Sequence, residues 1–66
     1  MSGKVVFIGG SQDHVPFIES AIKMGYSTVV FDRDESCNGA KISDTFFKIS
    51  THDVEKIISK CKDLNI

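Results

Sequence analysis

Four apolar residues in succession, Val5-Val6-Phe7-Ile8, run directly into a glycine pair, Gly9-Gly10, and then into Ser11-Gln12. A strand with no polar face expects cover on both sides, which is the condition of a strand in a parallel α/β sheet. Glycines at its end let the main chain turn sharply and approach closely whatever lies above the strand. A helical pattern starts immediately afterwards. Strand, glycine turn, helix is how open α/β sheets build sites for anionic or nucleotide-like ligands. The chain that must do this has only 66 residues, near the small end of what folds alone.

Length therefore limits the chain to a single domain, 1–66. Eight basic and nine acidic residues leave a net charge of −1, which gives no electrostatic footprint for nucleic acid or an anionic membrane. No apolar run approaches the roughly 20 residues of a membrane span, and Met1-Ser2-Gly3-Lys4 lacks the charged and apolar regions of a secretory leader. The expected compartment is the cytoplasm. Cys37 and Cys61 fit no metal or redox spacing. Cys61 reads as a small buried hydrophobe, and Cys37, in a polar loop, as an exposed free thiol.

Periodicity places the first strand at Lys4 to Ile8. A helix starts near Asp13 or His14, with Ser11 or Asp13 as N-cap and Pro16 in its first turn. Val15, Ile18 and Ile22, flanked by Phe17, Ala21 and Met24, form its apolar stripe, and Gly25 ends it. Tyr26 to Phe31 is the second strand, rich in β-branched and aromatic residues. A polar loop follows from Asp32 to Gly39, with one helical turn within 39–44. Thr45 to Ser50 is a third strand, with Phe47 and Ile49 on one face and Phe46 and Lys48 on the other. Ser50 or Thr51 caps a second main helix whose stripe is Val54, Ile57, Ile58, Cys61 and Leu64. The fold expected is a small, truncated Rossmann-like α/β unit: three parallel strands in order 3-2-1, two main helices, and no fourth strand beside the first.

Gly9, Gly10, Ser11 and Gln12 could present main-chain N–H groups to a phosphate or carboxylate. The run is neither G-x-G-x-x-G nor a P-loop, which removes those two fingerprints. Asp32 ends the second strand at about the separation from Gly9 that a ribose-binding carboxylate shows, and Arg33 beside it could reach an anion. His14 and His52 fall in first turns of helices and read as surface or capping residues. No nucleophile–base or paired-carboxylate arrangement stands out, so no catalytic residue is assigned.

The order of these weak motifs resembles a known family. Val5-Val6-Phe7-Ile8-Gly9-Gly10-Ser11-Gln12, a helix ending at Met24-Gly25-Tyr26, and Val29-Val30-Phe31-Asp32-Arg33-Asp34 look like the N-terminal, pre-ATP-grasp domain of ATP-grasp enzymes. Asn38-Gly39-Ala40, Ser43-Asp44 and Phe46-Phe47-Lys48-Ile49-Ser50 look like that family's link from second to third strand. Biotin carboxylase and the large chain of carbamoyl-phosphate synthetase carry this domain. The resemblance spans nearly all 66 residues.

It implies a fragment or remnant of an ATP-dependent ligase, such as a carboxylate-amine ligase or a carbamoyl-phosphate synthetase-like enzyme. Its part is to orient an anionic acceptor substrate at Gly9, Gly10, Ser11 and Gln12, with Asp32 and Arg33 at the next strand end. The chain itself would hold no cofactor and would not be catalytic alone; ATP and magnesium belong to domains outside these 66 residues. The open edge of the first strand would pair with those domains or with a second copy. Two alternatives are an NAD(P)- or flavin-type Rossmann fragment, with Asp32 on a ribose, and a small dimerising interaction module.

Overall fold

A computed structural model describes residues 3–66; Met1 and Ser2, on which part of the leader reading rests, lie outside the described residues. Three parallel strands form one sheet in the order β1-β2-β3: β1 (Lys4–Ile8), β2 (Ser27–Asp32) and β3 (Thr45–Lys48). This is the expected 3-2-1 order read from the other edge. Val6 stands beside Val29, Phe7 beside Val30, and Phe31 beside Phe47. The helices are α1 (Val15–Lys23), α2 (Asn38–Ile42) and α3 (Val54–Asp63).

The central strand explains why the chain folds. Thr28, Val29, Val30 and Phe31 are all buried, so β2 is covered on both faces, and its alternation splits the core in two. Val29 and Phe31 face α3: they cluster with Ile57, and Val6, Phe47, Ile49, Cys61 and Leu64 pack around them. The rings of Phe31 and Phe47 stack at 5.4 Å between centroids, and Lys60 Nζ lies 5.2 Å above the Phe47 ring. Thr28 and Val30 point the other way, toward the layer where α1 packs on β2 and α2. Ile18 and Ala21 are the buried residues of α1.

Several boundaries differ from the sequence reading, each for a local reason. Gln12–His14 forms a 3-10 turn, so α1 begins at Val15 with His14 as N-cap; neither Ser11 nor His14 makes a side-chain cap bond there. The second strand runs one residue later, to Asp32. The third stops at Lys48 because the Ile49 N–H turns back to the Phe47 carbonyl at 2.9 Å, and β2 offers no ladder partner beyond Asp32. The N-cap of α3 is Asp53, whose carboxylate accepts the Lys56 N–H, rather than Ser50 or Thr51. Gly25, with φ +89°, ends α1 as expected, and Asn65 at φ +63° takes the same role after α3. Cys37 and Cys61 are both free and half-buried, so Cys37 is less open than a loop thiol.

The apolar stripes are wider than the faces they bury. Ile8, Phe17 (67% exposed), Ile22, Met24, Val54 (59% exposed) and Ile58 all reach the surface. On α3, Lys60 marks the flank above β3. Val54 and Ile58 fall on the opposite flank at 100° per residue. β1 pairs with β2 alone among the described strands. No helix is long and apolar enough to cross a membrane among the described residues.

Candidate functional site

All three strands point their C-terminal ends the same way, and a cleft of about 300 Å³ opens there. This is where open parallel sheets place ligands. Ile8 and Gly9 from the end of β1, Ser11 and His14 from the 3-10 turn, Asp32 and Arg33 from the end of β2, and Ser50, Thr51 and His52 before α3 line it. The cleft is mostly polar, with one arginine, two histidines, three hydroxyls and one carboxylate.

The glycine turn builds the floor rather than the donor set. Gly9, at φ +115°, donates its N–H to the Phe31 carbonyl at 2.8 Å, extending the ladder. Gly10 donates its N–H to Asp32 Oδ2 at 2.9 Å. Of the four residues expected to present amides to an anion, the two glycines therefore have theirs engaged within the fold. The reason for two glycines is spatial. A Cβ on Gly10 would lie 2.7 Å from Val30 Cγ1 and 3.0 Å from Cys37 Sγ, and one on Gly39 would lie 2.7 Å from Gly10 main-chain atoms. Gly39 N–H bonds the Gly10 carbonyl at 2.7 Å, so α2 docks main chain to main chain on the turn.

Asp32 is a clamp. Its second oxygen, Oδ1, accepts the Asp34 N–H at 2.9 Å and shapes the turn after β2. Asp34 in turn accepts the Ser36 N–H and Oγ–H at 2.9 and 2.6 Å, and these bonds hold its carboxyl below the ordinary carboxylate value. A ribose would meet an Asp32 whose two oxygens already serve the main chain.

Of the six residues read as substrate-binding from sequence, Gly9, Ser11, Asp32 and Arg33 line the cleft. Gly10 lies beneath it and Gln12 outside it, where the Gln12 side-chain oxygen accepts from Asn38 Nδ2. His14, His52, Ser50 and Thr51 were not in that set. His14 joins because a 3-10 turn superposes side chains at i and i+3: Ser11 Oγ lies 3.1 Å from His14 Nδ1, and the ring rests on Gly9. Ser50 to His52 join because β3 ends two residues early. The Ser50 carbonyl and hydroxyl then accept the Asp53 and His52 N–H groups, which folds that segment over the sheet end.

A scan against protein-family models and searches of curated proteins and of solved structures return no match for this chain.

Proposed function

We propose that this chain is the acceptor-binding domain of an ATP-dependent ligase of the ATP-grasp type. It would hold a small carboxylate- or phosphate-bearing substrate in the cleft above the sheet. The observation that carries this reading is the polar lining at the C-terminal strand ends, where Arg33, His14, His52, Ser11, Ser50 and Thr51 converge. Such groups suit an anion far better than an apolar ligand. The element order and the motifs that resemble the pre-ATP-grasp domain support the same conclusion. Acyl-phosphate formation and its capture by an amine would occur in domains that bring ATP and magnesium, so this unit contributes orientation and no chemistry of its own. The compartment consistent with this role is the cytoplasm.

The unpaired outer edge of β1 among the described strands supports a docking role for that edge. In a ligase it is where the remaining domains, or a second copy of the chain, would continue the sheet. The dinucleotide reading is weaker, because Gly10 and Asp34 hold both oxygens of Asp32.

The discriminating experiment is a binding panel on the 66-residue chain by saturation-transfer NMR, with small carboxylates and phosphates, ATP and NAD as competitors. Saturable binding of the small anions, with ATP and NAD inert, is the expected result. Saturable binding of ATP or NAD with the small anions inert would overturn the reading.

A further inference from the structure

We propose that His14 meets the bound anion through Nε2, and that Ser11 positions the ring for it. This rests on the reading of the cleft as an anion site. The glycine turn cannot supply its two leading amides, since Gly9 N–H serves Phe31 and Gly10 N–H serves Asp32. The side chains that line the cleft are then its leading candidate donors. Among those lining the cleft, Arg33 and His52 are exposed, whereas His14 is half-buried.

Two contacts hold the His14 ring. Its Nδ1 lies 3.1 Å from Ser11 Oγ. Its Cε1–Nε2 edge lies where a Cβ on residue 9 would come within 3.0 and 3.2 Å, a position open to the ring because residue 9 is glycine. The main chain fixes the same pair a second time, with His14 N–H donating to the Ser11 carbonyl at 2.9 Å. With Nδ1 engaged, Nε2 is the remaining polar atom of the ring, and it has no hydrogen-bond partner among the described residues. A Ser11 hydroxyl that donates to Nδ1 leaves the proton on Nε2, as a donor toward the cleft. A ring already ordered loses little freedom when it binds.

Inorganic phosphate is the probe, titrated into the ¹⁵N-labelled chain. The two-bond ¹H–¹⁵N spectrum separates the ring nitrogens. On saturation the Nε2 resonance of His14 should move and Nδ1 stay close to its starting position. His14→Phe keeps a ring against Gly9 without the donor and should weaken phosphate binding about tenfold or more. His14→Gln returns an N–H donor and should recover part of the loss. Equal phosphate affinity in wild type and His14→Phe, or an unmoved Nε2 in a wild type that binds, would overturn the role of His14 and leave the anion site standing. Failure of the wild-type cleft to bind phosphate or small carboxylates at all would overturn both. If His14→Phe loses its dispersed amide spectrum, the wild-type Nε2 measurement decides alone.

Discussion

The main-chain amide of Gly10 and the carboxylate of Asp32 lie 2.9 Å apart across 22 residues of chain. This bond ties the end of β1 to the end of β2 at the floor of the cleft. It turns a residue that resembles a ribose ligand into part of the frame. Gly10 is buried, so the amide it satisfies could not turn to water if Asp32 were lost.

Asp32→Ala should therefore lower stability by about 2 kcal/mol, the cost of stranding a buried donor. Asp32→Asn keeps one acceptor oxygen and should cost less. Urea unfolding followed by circular dichroism measures both. A domain of this length has only roughly 3–10 kcal/mol in total, so the alanine variant should show a visibly earlier midpoint with an unchanged slope.

Gly39→Ala should be among the most damaging small substitutions in the chain. The added Cβ would meet Gly10 main-chain atoms at 2.7 Å, and main chain cannot swing aside as a flexible side chain can. A loss of about 3 kcal/mol follows from overpacking of this kind. Gly10→Val strikes Val30 and Cys37, so that substitution reports folding before it reports binding. Thermal unfolding of both variants against wild type gives the order.

Thr28 and Asp44 make a second clamp on β2. Asp44 Oδ2 accepts the Thr28 N–H at 2.8 Å and the Thr28 Oγ–H at 3.1 Å, and Asp44 N–H returns a bond to Thr28 Oγ1 at 3.0 Å. Thr28 pairs with Val5 on one side, while β3 begins only opposite Val29, so the carboxylate stands in for a missing ladder carbonyl. Asp44→Ala should cost about 2–3 kcal/mol, since it strands the amide of a fully buried residue. Thr28→Val should cost about 1 kcal/mol, because the amide–carboxylate bond survives. Hydrogen exchange at the Thr28 amide should accelerate in the first variant far more than in the second.

Acid should loosen the loop after β2. The Asp34 carboxyl is held below its ordinary value by the Ser36 hydroxyl, then the Ser36 amide, with burial acting against them. A group with a depressed folded value adds stability that is complete above its unfolded value, near 3.9. That stability is lost as pH falls through the lower folded value. Asp34→Asn should therefore lower the melting temperature slightly at neutral pH and flatten the acid limb, so that the two proteins converge below about pH 4. Melting temperatures of both proteins between neutral and acid pH test this; parallel acid limbs would show that Asp34 contributes nothing to it.

Much of the architecture was legible because local and global cues agree. Val29-Val30-Phe31 can only be a buried strand, Gly25 only a helix end, and the apolar alternation of β3 assigns Phe47 and Ile49 to the α3 face. The cap of α3 was misread because Ser50, Thr51 and Asp53 are all good N-caps, and only the turn that ends β3 selects among them. The site was half legible. Strand ends mark Gly9, Asp32 and Arg33, but amides have no sequence signature for whether they are already engaged. That a serine and a histidine three apart meet in the cleft depends on the turn being 3-10. Had Gln12–His14 been α-helical, i and i+4 would have been the closer pair.

The central claim is that side chains above the sheet, and not the leading amides of the glycine turn, receive a small anion. It is tested most directly by residue-resolved amide and side-chain shifts of the ¹⁵N-labelled chain as inorganic phosphate, and separately acetate, is added. The account predicts saturable shifts at Ser11, His14, Arg33 and Ser50 to His52, with the Gly10 amide still protected from exchange by Asp32. Shifts led by an exposed, unprotected Gly10 amide, or no saturable shift in the cleft with either anion, would contradict it.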